Sequence, residues 1–160
     1  MQKEPEKTNV MRILDQKNIS YNSYAYGTGE AMSGVEVAAL LGKEKETVFK
    51  TLVTVGKTGE HYVFVIPVAE ELDLKKAASA VGEKNIEMVK SKELLPLTGY
   101  VHGGCSPIGM KKFFRTTIDE TAILFDSILF SAGKIGHQVE VDLESLEKVI
   151  PFTLADLTKT

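Results

Sequence analysis

A chain of 160 residues, 43% hydrophobic and 26% charged, has enough apolar side chain for one buried core without cross-links. Its net charge of -3 argues against a protein that wraps duplex DNA, and its single cysteine, Cys105, excludes an intrachain disulfide. The apolar runs are too short to cross a bilayer and the opening MQKEPEKTNV lacks a signal-like apolar stretch, so the expectation is one cytoplasmic domain over residues 1–160, without a membrane or DNA partner.

In chain order, TNVMRILDQKNI carries Val10, Met11, Ile13 and Leu14 at helical spacing, with Thr8 or Asn9 placed to cap it. ISYNSYAY alternates as a strand, and GTGEAM is a flexible break. SGVEVAALLG opens with Ser33 and has Glu36 three residues on, the capping-box spacing; Gly42 is the stop. TVFKTLVTV and HYVFVIPV are β-branched and aromatic, joined by GKTG, which predicts a hairpin. Pro67 marks the second strand as an edge or as its exit point.

LDLKKAASAVG predicts a helix stopped by Gly82, IEMV a short strand, and SKELLPL a helical turn interrupted by Pro96. After the glycine-rich stretch GYVHGGCSPIGMKK, TAILFDSILFSAG predicts one or two strands bent near Asp126. HQVEVD is a strand, Asp142 caps LESLEKVI, Pro151 ends it, and TLADLT is a last turn. Hairpins without a regular βαβ order predict an α/β (α+β) domain, a mixed sheet with peripheral helices.

His61, His102 and His137 are scattered, with no HExxH or Cys-x-x-Cys pattern, and neither a P-loop nor a dinucleotide fingerprint is present. No metal and no cofactor are expected. Cys105 reads as a small buried hydrophobe, with His102 as its one neighbouring base. Lys50 interrupts a strand whose two faces are largely apolar. It either snorkels from a half-exposed strand or places an ammonium at a pocket edge facing a phosphate, carboxylate or ribose. Gly103 and Gly104 let the backbone approach a ligand, and Ser106 and Pro107 fix the following turn. The stretch is either an elaborate connection or a nest of N–H groups for an anion. Lysines gather at 75–76, 84, 90, 92 and 111–112, beside Arg115, as a solvated surface or a local patch for RNA.

VFKTLV at 48–53 and GYVHGGCSPIGMKK at 99–112 closely resemble the two signature stretches of the YbaK/EbsC family, which is related to the editing domain of bacterial prolyl-tRNA synthetase. LDLKKAASAVG and SAGKIG resemble further family segments, and the likeness spans roughly residues 8 to 157. The resemblance implies a single domain around a strongly curved mixed sheet. It implies trans-editing deacylation of mischarged aminoacyl-tRNA, Cys-tRNA(Pro) first, with the substrate's own thiol attacking its carbonyl. The alternatives are an Ala-tRNA or other small aminoacyl-tRNA deacylase, and a non-catalytic tRNA- or protein-binding regulator.

The partners so implied are the 3' end of an aminoacyl-tRNA and prolyl-tRNA synthetase, with the protein a monomer or weak homo-oligomer. Lys50 and Gly103 match the family's pocket lysine and first active-site glycine, and Tyr26 a pocket-wall tyrosine. Ser131 and Gly133 fall in the later pocket segment. Gly103 and Gly104 are assigned to the carbonyl or oxyanion, Lys50 to ribose or phosphate, and Tyr26, Ser106, Pro107, Ser131 and Gly133 to substrate binding. The family usually has an aliphatic residue where this chain has Cys105, which favours packing over catalysis there.

Overall fold

The computed structural model describes residues 7–27, 30 and 32–159. Part of the break expected at 27–32, and most of the opening decapeptide, lie outside the described residues. Helix α1 (Asn9–Gln16) is capped by Thr8, whose hydroxyl accepts from the Met11 N–H, and buries Val10, Met11 and Leu14. Strand β1 (Asn22–Ala25) is followed by α2 (Gly34–Leu41). The expected capping box between Ser33 and Glu36 is formed, and Gly42 ends the helix with φ +67.

The hairpin of β2 (Phe49–Gly56) and β3 (His61–Pro67) is antiparallel, with Lys50 opposite Ile66. Helix α3 (Leu74–Val81) is capped by Asp73 and stopped by Gly82 at φ +77. Short strand β4 (Ile86–Met88) adds antiparallel to the far end of β2, from Thr54 to Gly56. Helix α4 (Ser91–Thr98) runs through Pro96 rather than ending there. The Thr98 hydroxyl donates to the Leu94 carbonyl at 2.7 Å, buried Leu94 and Thr98 anchor the inner face, and Gly99 closes the helix with φ +83.

Beyond these elements, two sequence expectations are corrected, one strand was not foreseen, and the alternative left open at Pro67 is decided. The polar stretch RTTID, not foreseen as structured, is β5 (Arg115–Asp119), lying between β3 and β8. Its buried Asp119 carboxylate accepts from Leu157 N at 3.0 Å and Thr121 Oγ1 at 2.6 Å, while the buried Thr117 hydroxyl has no hydrogen-bond partner among the described residues. Residues 120–124 form a 3₁₀ turn instead of a strand, started by Asp119, and leave Ile123 and Leu124 exposed. TLADLT contains β8 (Thr153–Ala155), parallel to β5. Pro67 is an exit and not an edge: β3 is flanked on both sides, and Val68 N–H then turns to the Val48 carbonyl at 2.9 Å.

The mixed sheet has two parts. One is five-stranded, ordered β4-β2-β3-β5-β8, with β3–β5 and β5–β8 parallel. The other is a three-stranded antiparallel sheet, ordered β1-β7-β6, with β6 (Ile128–Ser131) and β7 (His137–Val141). A single bridge, Val48 to Leu129, joins them. β3 is covered on both faces. Val63 and Val65 share a core with α1, Phe130 and Val139, while Tyr62, Phe64 and Ile66 pack on α3. Helix α5 (Leu143–Glu147), capped by Asp142, buries Leu146 in the first of these cores.

Glu140 on β7 ties the small sheet together. Its carboxylate accepts from Tyr24 Oη at 2.7 Å and Ser127 Oγ at 2.6 Å, and pairs with Lys43 at 3.6 Å. Burial pushes this carboxyl up, but the Ser127, Tyr24 and Asn22 donors and the Lys43 ammonium outweigh it and hold it below the ordinary range. A carboxylate depressed in the folded state contributes stability that is present above its unfolded value and lost as pH falls through the folded one. Glu140→Ala should therefore lower stability by about 1–3 kcal/mol at neutral pH, by leaving two hydroxyls unpaired. The gap to the parent should shrink below about pH 4, where the unfolded carboxyl is protonated. Thermal melts at pH 7 and pH 3.5 check this; an equal deficit at both would place the effect in packing rather than charge.

Candidate active site

The two sheets part just beyond the Val48–Leu129 bridge, and a cavity of about 370 Å³ opens there. Its floor is residues 48–52 of the β2 segment. One wall is the end of the small sheet, with Tyr26, Ser131 and Gln138; the others are the start of α2, and Leu94 with the 102–105 turn. β4 pairs with β2 only at residues 54–56, and Val89 N–H still reaches the Val53 carbonyl at 3.1 Å. Alternation along the ladder then leaves the N–H and C=O of Thr51 on an edge that β4 has vacated.

Four of the residues singled out in the sequence converge on this cavity: Lys50, Gly103, Tyr26 and Ser131. Lys50 is partly buried, and burial lowers its pKa, with the Glu71 and Glu70 carboxylates opposing at longer range. Glu71 is itself paired with Lys159 at 3.0 Å. Among the described residues, the Lys50 ammonium has no ion-pair partner. It is a cation already stripped of part of its water, with its donors open to a bound group. Tyr26 is held by its own N–H on the Gly136 carbonyl at 2.8 Å, and its hydroxyl accepts from Gln138 Nε2 at 3.3 Å. Ser131 Oγ accepts the Gly133 N–H at 3.1 Å, which leaves the hydroxyl proton for the cavity.

Gly103 sits third in a turn closed by Gly104 N–H to the Val101 carbonyl at 3.0 Å, with φ +87. That bond takes the Gly104 N–H out of use, a correction to its assignment as an oxyanion donor. Gly104 instead packs closely, since a Cβ there would lie 3.1 Å from the Ile135 nitrogen. Among the described residues, the N–H groups of Gly103 and Cys105 make no backbone hydrogen bond. Both residues line the cavity.

Ser106, Pro107 and Gly133 are also displaced from their expected role, because none lines the cavity. Ser106 is fully buried and its hydroxyl accepts the Ile108 N–H at 3.3 Å. Pro107 is buried beside it. Gly133 has φ +90 and lies against Tyr100, whose Cε1 would be 2.9 Å from a Cβ. These residues set the loop's shape. Tyr100 clamps it by donating its hydroxyl to the Ile108 carbonyl, and its pKa is pushed up to about 12 by burial. Cys105 lines the cavity from a buried position, and burial pushes its thiol up to about 12, which removes it as a thiolate nucleophile near neutral pH.

Two site residues were not foreseen. Gln138 is 7% exposed, and its Oε1 has no hydrogen-bond partner among the described residues; the same holds for Thr51 Oγ1. Both line the cavity. HQVEV reads as an ordinary alternating strand with Gln138 on the wet side. Only the packing of Ala38 and Leu41 of α2 with Tyr24 and Leu129 covers that face. Unpaired buried acceptors in a cavity wall are groups waiting for a ligand's donors.

The chain matches the Aminoacyl-tRNA editing domain family over residues 28–149. It is 45% identical over 157 residues, 98% of this chain and 96% of the relative, to EbsC of Enterococcus faecalis, named as a candidate Cys-tRNA(Pro)/Cys-tRNA(Cys) deacylase. Over 85 residues, 53% of this chain and 15% of the relative, it is 33% identical to a proline–tRNA ligase of Pelobacter propionicus. Among solved structures, a candidate trans-editing enzyme for prolyl tRNA synthetase superposes with a TM-score of 0.80 at 23% identity, covering 97% of this chain and 100% of the other. A hypothetical protein superposes at 0.84 and 20% identity, covering 94% and 99%. At these identities the structural likenesses establish the fold.

Gln138→Met keeps the side chain's length, removes the unpaired acceptor and loses the bond to Tyr26. Those terms are each about 1 kcal/mol and opposed. The melting temperature should stay within about 3 °C of the parent or rise. A calorimetric fall of more than about 6 °C would mean that the amide holds the fold rather than serving the cavity.

Proposed function

The chain belongs to the aminoacyl-tRNA editing domain family, and from that premise we propose that it is a trans-editing deacylase. Its substrate is the ester that joins a mischarged amino acid to the 3' end of tRNA, with cysteine on tRNA(Pro) preferred and the cytoplasm as its place of action. One observation carries the reading. Lys50, Gly103, Tyr26 and Ser131 meet in one cavity of about 370 Å³, and the thiol that lines it is held protonated. Volume and lining suit a small amino acid and its ester, with the nucleoside at the mouth.

Such a site binds and orients an ester without offering an activated side-chain nucleophile. The attacking group then comes from the substrate. A cysteinyl ester carries its own thiol. The sulfur forms a bond to the ester carbonyl carbon, the C–O bond to the ribose breaks, and the thiol proton leaves on the ribose oxygen. The product is a cyclic thiolactone and a tRNA with a free 3' end. The protein's part is geometric and electrostatic. Gly103 and Cys105 N–H groups face the developing oxyanion. Lys50 holds the ribose or phosphate. Tyr26, Gln138 and Thr51 hold the amino acid so that sulfur and carbonyl meet.

The E. faecalis relative's name joins one amino acid to two tRNAs, which fits a site that reads the aminoacyl group. Prolyl-tRNA synthetase is the partner that would supply selection for tRNA(Pro), since proline and cysteine are close in size and separating them by size alone fails.

Three esters test the mechanism. Purified protein should cleave Cys-tRNA(Pro) fast and Ser-tRNA(Pro) and Ala-tRNA(Pro) slowly. The reason is that a thiol is partly ionised near neutral pH while a hydroxyl is not. Product analysis should show the thiolactone or its hydrolysis product. Equal rates on cysteine and serine esters would sink the thiol-assisted route, and an alanine preference would move the protein to the sister specificity.

Lys50→Ala should lower kcat/KM on Cys-tRNA(Pro) by roughly a hundredfold or more, the scale of one lost charged contact in the transition state, with the fold intact. Single-turnover assays beside a thermal melt check this. Near-parental turnover would remove Lys50 from the site, and unfolding would assign its stem to packing.

A further inference from the structure

The lysines around the glycine-rich loop remain unassigned by the cavity chemistry. Residues 90–112 contain four lysines and one carboxylate, Glu93, a net charge of +3 in a chain whose total is -3, so the remainder carries -6. Lys90, Lys92, Lys111 and Lys112 are all exposed.

The fold places them at the two ends of α4, the helix that turns Leu94 into the cavity wall. β4 pairs with β2 from Met88 opposite Thr54, and Val89 N–H meets the Val53 carbonyl. From Lys90 the chain turns into α4, whose Leu94 lines the cavity. At the other end of α4, the Lys111 N–H donates to the Thr98 carbonyl at 3.0 Å, and the Lys111 stem lies against Gly99. The two pairs of lysines are therefore separated by the length of α4, about 12 Å for eight residues. Between them the helix turns Leu94 into the cavity and leaves Leu95 exposed, with exposed Val101 and His102 beside the mouth. Of the nearby carboxylates, Glu30 lines the cavity, and Glu70 and Glu71 act on Lys50 at longer range. Arg115 is not part of the track, because its guanidinium caps α3 through the Val81 and Ala80 carbonyls.

We propose that the exposed face of α4 and the 111–112 loop, carrying Lys90, Lys92, Lys111 and Lys112, is the track along which the phosphodiester backbone of the RNA 3' strand enters the cavity. This rests on the deacylase reading for the identity of the RNA. Attraction of this kind is independent of sequence and weakens with salt. A 160-residue acidic protein thereby gains a short, sequence-independent grip on a nucleic acid end.

The experiment uses a tRNA(Pro) transcript with an intact CCA end and a small substrate, the 3'-O-cysteinyl ester of adenosine. Binding of the deacylated transcript is measured across a salt series for the parent, for the K90Q/K92Q/K111Q/K112Q variant, and for a K57Q/K75Q/K148Q control on exposed lysines elsewhere. The track predicts that the fourfold variant loses about 3 from the slope of log K against log salt, at about 0.7–0.9 per phosphate contact, and at least tenfold in affinity. The control should keep the parental slope, and all three proteins should cleave the adenosine ester at equal rates. An unchanged slope and affinity in the fourfold variant would overturn the track. So would an equal loss in the control, which would mean diffuse attraction, and so would loss of synthetase binding with RNA binding intact, which would make the face a protein contact. If the parent does not cleave the adenosine ester, or Cys-tRNA(Pro) in the assay above, the deacylase reading fails while the salt slopes still decide the track.

Discussion

The single β-bridge at Val48 is the constraint on which the site depends. Its carbonyl accepts the Val68 N–H as the chain leaves β3, and the residue pairs with Leu129 of the small sheet. Val48 is 1% exposed and packs with Ala38, Val68 and Leu129. Two sheets are thus pinned at one point and free to diverge past it. β4 does not follow β2 back to residues 49–52, so a strand that is central at one end is an open edge at the other. Unpaired strand edges are usually covered or blunted. Here the edge is the floor of a cavity.

That geometry explains how a lysine can stand in the middle of an apolar strand. Lys50 lies opposite Ile66 on the face that farther along packs Phe64 and Tyr62 onto α3, and it emerges where that packing gives way to the cavity. Burial lowers its pKa, so its charge is partly desolvated before any ligand arrives. A charge held in such a place attracts an opposite charge more strongly than one in bulk water. The unpaired Gln138 and Thr51 acceptors follow the same logic: their desolvation is carried by the fold and offset only when donors enter.

The glycine loop contributes rigidity rather than freedom. Thr98 accepts the Tyr100 N–H at 3.0 Å, Tyr100 clamps the Ile108 carbonyl, and Ser106 receives the Ile108 N–H. These bonds lie behind the cavity and fix the Gly103–Cys105 backbone in front of it. In the proposed reaction, donors held in this way would need no reorganisation, which is the condition for electrostatic catalysis. The burial that packs this loop also pushes the Cys105 thiol up to about 12.

Most of the elements and the centre of the site were legible in the sequence, because their determinants act over a few residues. Ser33 and Glu36 form a capping box within one turn, Gly42 and Gly82 end helices by accepting positive φ, and the β2–β3 hairpin is written in its alternation and its GKTG turn. Lys50 showed itself as a charge in an apolar strand, and Gly103 as a turn glycine. What the sequence hid depends on partners far along the chain. RTTID is a buried strand whose Asp119 is satisfied by Leu157, 38 residues later. TAILF has strand-forming composition, yet Asp119 starts a 3₁₀ turn there and Ile123 and Leu124 remain outside. Gln138 becomes a cavity residue only because α2 folds over a face that alternation assigns to water. Ser106, Pro107 and Gly133 resembled ligand contacts because glycine, proline and serine shape a supporting loop as readily as a binding one. Local rules determine which conformations a segment prefers; which side of it meets a ligand is decided by the segments that cover the other side.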